Sequence, residues 1–250
     1  MDNIEVTEGT LDPTGCISNA WEALKPNYPL FLGMVVVFFL ILIVLGCLPF
    51  VGFILLGPLT CGIYYACLKQ IRNEQVDFSM MFKGFEVFLP AMIVGLVISI
   101  PQIINQIINI GIFVASIGAG VSQNEEAIQA TNMLSLGSYG IQFLLYIPML
   151  LLSLVFFFSY QLTIDRKVTA LEAFKLSFAG LKKNLVSVIV LFILEILIGI
   201  AGMLVLCVGF FLVLPLIFMT SAEAYRQVFP SNDINTIDAP PAPNEYNMGN

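Results

Sequence analysis

The sequence predicts an all-α integral membrane protein with about six transmembrane helices. Its residues are 58% hydrophobic and only 11% charged, and its mean hydropathy is +0.93, whereas about a quarter of the residues of a soluble domain are charged. A globule of 250 residues cannot bury that many apolar side chains, so much of its outer surface must face lipid. The distribution of Lys and Arg along the chain supports the same fold class.

Six apolar runs are long enough to cross a membrane, because a span needs about 20 apolar residues for about 30 Å of hydrocarbon. They cover about residues 30–49, 51–68, 87–109, 140–161, 185–204 and 205–224. Gly52 and Gly209 mark tight turns between paired spans. The membrane domain at 17–229 lies between a polar N-terminal tail at 1–16 and a Pro-rich C-terminal tail at 230–250, which we expect to be disordered.

All ten basic residues fall on one side of the membrane when six spans are drawn. They lie before span one, between spans two and three, between spans four and five, and after span six. The loops on the opposite side contain no Lys or Arg. The positive-inside rule places this side in the cytoplasm. We therefore predict a multi-pass protein of the cell inner (plasma) membrane with both termini cytoplasmic. The ten are Lys25, Lys69, Arg72, Lys83, Arg166, Lys167, Lys175, Lys182, Lys183 and Arg226.

The third span is irregular, because its uncharged region is too long for one straight crossing at about 1.5 Å per residue. Pro101 interrupts the region, and Gln102, Asn105 and Asn109 follow at helical spacing. We expect the span to end near Asn109. An interfacial or re-entrant stretch at 110–121 should then follow on the outer face.

Two segments of the chain match at a constant offset of 157 residues. Each segment comprises an amphipathic cytoplasmic helix and a two-span hairpin, and the middle of the chain provides a looser third copy. Because each unit has an even number of spans, the three hairpins share one orientation, related by an axis along the membrane normal. The expected architecture is a quasi-threefold bundle of six helices. The most specific matches pair Asn27 with Asn184, Gly52 with Gly209, Pro58 with Pro215 and Gln70 with Gln227.

The cytoplasmic connectors are predicted to be amphipathic helices. Thr169 followed by Glu172 is a capping-box signature that begins one of them. Apolar residues then line one face, with lysines at its edges, which suits the lipid headgroup region and equally suits packing on the inner face of the bundle. That face contains Leu171, Phe174, Phe178 and Leu181. Similar stripes contain Ile17, Trp21 and Leu24 before span one, and Phe78, Met81, Phe82 and Phe85 before span three.

Glu195 is the one charged residue well inside a predicted span. A carboxylate at the bilayer centre costs about 3 kcal/mol on insertion scales, and such residues usually face a protein interior or a water-filled cavity. Its candidate polar partners are Tyr64 and Tyr65 in span two and Gln102 and Asn105 in span three. Two roles remain open: part of a proton or ion pathway, or a protonated hydrogen-bonding link between helices.

The sequence contains no catalytic constellation. It has no His, so the commonest general base is absent, and it has no P-loop, HExxH or GxSxG motif. The five cysteines form no CxxC pair, which argues against zinc, and no basic run suits a nucleic acid. We therefore expect no enzymatic activity, cofactor, metal or nucleic-acid partner, and we interpret Glu223 and Arg226 as a surface ion pair.

Three stretches carry a family resemblance: AWEALKPNYPLFLG, PFVGFILLGPLTCGIYYACLKQIRNEQVDFSMMFKGFEVFLP and AYRQVF. They resemble bacterial multi-span membrane proteins of the glycerophosphodiester phosphodiesterase membrane-domain and YciC-like type. The resemblance covers about residues 17–230. It implies a helical inner-membrane protein and brings neither an activity nor a site, since the catalytic phosphodiesterase domain fused in some members is not among the matching residues.

The sequence supports two functional hypotheses from different classes. The first is a non-enzymatic protein that organises membrane lipid, protein partners or a homo-oligomer through its connectors. The alternative is a small transporter or channel that uses Glu195 and the polar residues of span three. A third hypothesis, an intramembrane lipid enzyme, has the least support.

Overall fold

A computed structural model describes residues 6–46, 50–204 and 208–230 of the chain. These ranges are almost entirely helical and contain no β-strand, and six of their helical stretches are long and apolar enough to cross a membrane. The chain is thus an all-α membrane protein. Cys47, Cys207 and the predicted C-terminal tail beyond Pro230 lie outside the described residues.

The helices follow one another with short connections. They are α1 (Pro13–Leu24), α2 (Tyr28–Gly46), α3 (Val51–Ile71), α4 (Phe88–Ile98), α5 (Ile100–Ser122), α6 (Glu125–Val155), α7 (Ser159–Asp165), α8 (Ala170–Lys183), α9 (Leu185–Leu204) and α10 (Val208–Val228). A 3₁₀ helix, Phe78–Val87, precedes α4 and is named the 3₁₀ connector. Helices α8, α9 and α10 begin 157 residues after α1, α2 and α3.

The predicted third span is divided between α4 and α5, and α5 by itself is long and apolar enough to cross a membrane. α4 has 11 residues and is about 16 Å long, which is too short for about 30 Å of hydrocarbon. α5 begins directly after Ser99, whose φ of −87° and ψ of 1° depart from α-helical values. Pro101 lies in the first turn of α5, where its missing N–H is not needed. The expected end of the span near Asn109 is wrong, because α5 continues without interruption to Ser122 and the break lies at Ser99 instead. The interfacial position expected for 110–121 stays a prediction.

Helices α5 and α6 form a long hairpin that extends beyond the rest of the bundle. Gln123 turns the chain with a φ of 51°, and the Asn124 side chain then accepts hydrogen bonds from the N–H groups of Glu126 and Ala127 at the start of α6. α6 has 31 residues and is about 46 Å long. Because this exceeds the hydrocarbon thickness of about 30 Å, the tip of the hairpin reaches out of the membrane.

The three connectors are α1, the 3₁₀ connector and α8. They pack in a ring at one end of the bundle, here named the basic end because it carries the Lys and Arg residues. The 3₁₀ connector packs against α3, α8 packs against α7, and α1 packs against α10. The 3₁₀ connector and α8 therefore each contact the helix that ends the preceding hairpin, and α1 closes the ring by contacting α10. In the centre, α3 contacts both α7 and α10.

Glycines allow the backbones of α3 and the 3₁₀ connector to touch. A Cβ atom at Gly62 would lie 1.7 Å from the carbonyl oxygen of Met81, and one at Gly84 would lie 1.8 Å from the carbonyl oxygen of Pro58. Only a residue without a side chain fits at such a distance. The contact brings the connector close enough to α3 to bury Met81 completely.

The hydrophobic core is concentrated near the basic end. Leu24, Phe158 and Tyr225 are among its largest fully buried side chains. Cys16, Cys61 and Cys67 are free thiols within it, where small apolar groups suit close packing. Away from this end, the outer surfaces of the spans are lined by exposed Ile, Leu, Val and Phe side chains, as contact with lipid requires.

The residues at 6–12, named the N-terminal strap, bind across the ends of α8 and α10. The Thr7 N–H donates to the carbonyl oxygen of Val228 at 3.1 Å, and the Thr7 hydroxyl donates to the carbonyl oxygen of Gln227 at 2.9 Å. Asn184 in turn donates to the carbonyl oxygen of Thr7 at 2.9 Å. The described part of the predicted polar tail is therefore bound to the bundle by backbone and side-chain hydrogen bonds.

Candidate functional site

Glu195 lies near the middle of α9, in a run of Ile, Leu and Val residues that forms an apolar helix. It is ten residues from Leu185, where α9 begins at the basic end, and so lies about 15 Å into the membrane. Its side chain is directed into the protein, with 7% of the residue exposed. A carboxyl at this depth must find hydrogen-bonding groups within the protein.

Ser221, on α10, provides that group. Its Oγ donates to Glu195 Oε1 at 2.8 Å. The Ser221 Oγ also lies 3.1 Å from the carbonyl oxygen of Ile217. A hydroxyl has one proton for these two acceptors. Among the described residues, Ser221 is the only hydrogen-bond donor to the Glu195 carboxyl, so this carboxyl keeps further hydrogen-bonding capacity.

Two tyrosines extend the cluster towards the centre of the bundle. The rings of Tyr64, on α3, and Tyr160, on α7, are stacked with centroids 6.3 Å apart. Tyr64 also packs edge-on against Phe218 of α10 at 5.4 Å, and its side chain lies near Ser221 and Glu195. Residues of α3, α7, α9 and α10 thus lie together in one buried cluster, in which the tyrosine rings pack and Ser221 bonds to Glu195.

The structure brings only one of the four predicted partners to Glu195. Tyr64 is in the cluster, whereas the neighbouring Tyr65 is half-buried on another face of α3, with the ammonium of Lys69 5.7 Å from its ring. Gln102 and Asn105 belong to α5 and line a small cleft against α6. These two amides are therefore part of the α5–α6 hairpin and not of the Glu195 cluster.

The polar residues of α5 join it to α6. Asn109 donates to Asn105 Oδ1 at 3.0 Å, and Gln142 of α6 donates to Asn109 Oδ1 at 3.3 Å. The bond from Gln142 is interhelical, and such amide bonds hold membrane helices together with about 1 kcal/mol each. This arrangement gives the polar residues of α5 partners within the α5–α6 hairpin.

An apolar groove leads from Glu195 towards the lipid. It lies between α9 and α10, has a volume of about 380 Å³, and is open along one side. Gly199 leaves space in it, since a Cβ atom there would meet only Ile217 Cδ1 at 3.9 Å. The other lining residues are Phe192, Ile196, Ile200, Met203, Phe210 and Leu214.

A second polar cluster, at the basic end, ties the three central helices together. Asp165, at the end of α7, accepts a hydrogen bond from Arg72 Nη2 at 2.5 Å. It also accepts one from the Tyr225 hydroxyl of α10 at 2.8 Å. Because the Asp165 side chain is only 9% exposed, these charge-assisted bonds fix the relative positions of α3, α7 and α10.

The expectation of a surface pair at Glu223 is half correct. Glu223 and Arg226 form the predicted ion pair at 2.7 Å, but the Glu223 side chain is only 2% exposed. It is covered by α1, whose Asn19 amide lies 3.4 Å from Glu223 Oε1. The carboxylate is therefore an internal link between α1 and α10.

Sequence reasoning missed Ser221, Tyr160 and Asp165. One signal for Ser221 was present, because it follows Tyr64 by the repeat offset of 157 residues, and the two side chains lie near each other in the structure. Asp165 was the first charged residue after span four, but nothing local distinguished it from the basic residues that follow.

The chemistry available to these clusters is hydrogen bonding in an apolar setting. In the described ranges, no three His, Cys, Asp or Glu side chains converge as a metal site would require. Comparison with protein-family models, with curated proteins and with solved structures gives no match. The family resemblance of the sequence therefore stays a prediction.

Proposed function

We propose that this membrane protein is not an enzyme and that its connectors organise lipid at the basic end. The observation that carries the proposal is the division of each connector into a packed face and an exposed apolar face. Trp21 of α1 is 42% exposed, Phe82 of the 3₁₀ connector 43%, and Phe178 of α8 54%. Large apolar side chains at the level of the lipid headgroups suit contact with a membrane interface.

Helix α8 shows this division most clearly. Ala173 and Ser177 are fully buried, and the Ser177 hydroxyl accepts a hydrogen bond from the N–H of Phe158 at 3.1 Å. On the other side, Leu171 and Phe178 are 63% and 54% exposed. The inner face positions the helix, and the outer face is left for lipid.

The charges make α8 the connector best suited to anionic headgroups. Directly after α1, Lys25 is paired with Glu22 at 2.5 Å, and in the 3₁₀ connector Lys83 is paired with Glu86 at 2.7 Å. In α8 the lysines exceed the acidic residues, and its one carboxylate caps the helix. Its exposed lysines are Lys175, Lys182 and Lys183. Each unpaired lysine near an anionic surface contributes about 1 kcal/mol.

The proposed topology places the basic end in the cytoplasm of the inner membrane, with both termini on that side. The asymmetry of Lys and Arg supports it. A C-terminal green fluorescent protein should then fluoresce, and a C-terminal alkaline phosphatase should be inactive. The internal repeat and association with other proteins or with a second copy belong to the same proposal. The 157-residue offset between the starts of α1–α3 and α8–α10 supports the repeat.

Tryptophan quenching by brominated lipids tests the role of α8. Trp21 is the only Trp in the chain and reports on α1, while Trp21→Phe combined with Phe178→Trp moves the reporter to α8. In vesicles of phosphatidylcholine with brominated phosphatidylglycerol, we expect selective quenching at α8 and little selectivity at α1. Lys182→Gln should reduce the selectivity at α8 roughly fivefold.

Lys83→Gln is the matched control, because Lys83 is an equally exposed connector lysine that already has an acidic partner. It should leave the selectivity at α8 unchanged. Equal quenching by brominated phosphatidylglycerol and phosphatidylcholine at α8 would contradict the proposal. Deleting α8 is a poor test, since its buried face is part of the core.

The transporter alternative is ranked second because its predicted polar residues are divided between two places. Gln102 and Asn105 lie in the α5–α6 hairpin, while Glu195 faces Ser221 across α9 and α10. A proton-dependent flux in vesicles that is lost in Glu195→Gln would restore this alternative. Unchanged flux in that variant would remove it.

A further inference from the structure

The groove between α9 and α10 combines a volume, an opening and a polar end. Its volume of about 380 Å³ falls within the range of about 300–1,000 Å³ found for small-molecule sites. It extends from Phe192 to Met203 along α9, which corresponds to about 16 Å of helix. Ile196, Ile200 and Met203 are exposed on its open side, so a molecule dissolved in the membrane can enter without crossing water.

The Glu195 carboxyl is the polar feature of this groove. It lies towards the Phe192 end of the groove lining, and the Ser221 hydroxyl approaches only its Oε1 atom. Whether ionised or protonated, a carboxyl keeps acceptor positions beyond the one that Ser221 occupies. A ligand that brings one hydrogen-bond donor to this point would meet an acceptor that is otherwise surrounded by apolar side chains.

Depth selects the chemistry of the ligand. Glu195 lies about 15 Å from the start of α9, near the middle of the hydrocarbon layer. A phosphate or carboxylate headgroup would have to be desolvated there and would be repelled by a charged Glu195. A neutral hydroxyl carries a donor and little desolvation penalty by comparison.

We propose that this groove binds a neutral lipid alcohol, an apolar chain with one hydroxyl, whose O–H donates to Glu195. The chain lies along Ile200 and Met203 with its far end towards the outer side of the bundle. The site is separate from the connector surface proposed above, so either can fail without the other.

Photolabelling tests the site in the full-length protein reconstituted in phosphatidylcholine vesicles. The probe is hexadecanol with a diazirine in its chain, and labelled peptides are identified by mass spectrometry. We expect saturable labelling of α9 and α10. Unlabelled hexadecanol should compete, while hexadecyl methyl ether, which keeps the oxygen and lacks the donor, should compete roughly fivefold less well.

Two variants separate the groove from its polar end. Gly199→Leu fills the groove at a position where a Cβ atom has room, and it should reduce labelling at least fivefold. Gly140→Leu, on α6, has nothing within 4 Å of the added Cβ and should leave labelling unchanged. Glu195→Leu should abolish the preference for the alcohol over the ether.

Three results would overturn the proposal. They are labelling spread evenly over the lipid-facing helices, labelling unaffected by Gly199→Leu, and equal competition by the alcohol and the ether. If Glu195→Leu does not fold, the ether comparison in the parent protein still decides whether the hydroxyl is recognised.

Discussion

Replacing Gly62 by Ala tests whether direct backbone contact holds α3 against the 3₁₀ connector. The new Cβ atom would lie 1.7 Å from the Met81 carbonyl oxygen and 2.5 Å from its carbonyl carbon, where ordinary contact begins at 3.4 Å. Neither backbone can rotate away as a side chain could. The two elements must therefore separate by more than about 1 Å, which opens the packing around Met81.

The expected loss of stability follows from the cost of overpacking. Inserting a methyl group into a well-packed core costs about 1–3 kcal/mol, and a clash between two backbones should reach the upper end, about 3 kcal/mol. For a chain of this size, each kcal/mol corresponds to about 2–4 °C in Tm. We thus expect Gly62→Ala to unfold roughly 6–12 °C below the parent.

Thermal unfolding in detergent, followed by the fluorescence of the single Trp21, measures this difference. Gly111→Ala is the control, because a Cβ atom at Gly111 in α5 meets nothing within 4 Å. The control should be unchanged or about 1 kcal/mol more stable, since Ala is the better helix former. A Tm for Gly62→Ala equal to that of the parent would refute the close contact.

Three further predictions concern the basic end. Asp165→Asn should lower the free energy of unfolding by about 2 kcal/mol in the same assay, because Arg72 and Tyr225 lose a charged acceptor. Tyr225→Phe removes one of the two bonds and should cost less, and no loss of stability in either variant would contradict the prediction. The Thr169 N–H and hydroxyl donate two hydrogen bonds to the Glu172 carboxylate and lower the pKa of Glu172 below its ordinary value of 4.5. The stabilisation that these bonds give is complete above pH 4.5 and is lost as the pH falls through the lowered pKa. The Tm of the parent should then fall more steeply than that of Glu172→Gln between pH 6 and pH 3, and parallel curves would contradict the cap. Thr7→Val removes a hydroxyl donor to α10 and should make the N-terminal strap more sensitive to limited proteolysis. Unchanged proteolysis would show that the backbone bond of Thr7 holds the strap without the hydroxyl.

The spans were predictable because length and hydropathy are local properties of the sequence. The apolar runs near 30–49, 51–68 and 185–204 correspond to α2, α3 and α9. The third crossing was harder, since Pro101 is compatible with either an interruption or a helix start. The structure places it in the first turn of α5, and no local signal distinguished the two.

The site was less predictable because burial depends on contacts between distant parts of the chain. The spacing of Glu223 and Arg226 predicted their ion pair, but Glu223 is covered by Asn19, which lies 204 residues earlier. Tyr64 and Tyr65 are adjacent in sequence, and successive residues on a helix point about 100° apart. Only the first faces the centre, and which one does is determined by the packing of α3 against α7 and α10.

The contact between α1 and α10 fixes the order in which the protein can be completed. α1 and the N-terminal strap are synthesised long before the residues that the strap binds, such as Gln227 and Val228. During translation α1 can contact α3 but lacks its largest partner, α10, and the buried faces of Cys16 and Ala20 are not fully covered until α10 is inserted. A chain that stops before α10 leaves its own beginning unpaired, so an unfinished molecule can be recognised at its N-terminus by proteases and chaperones.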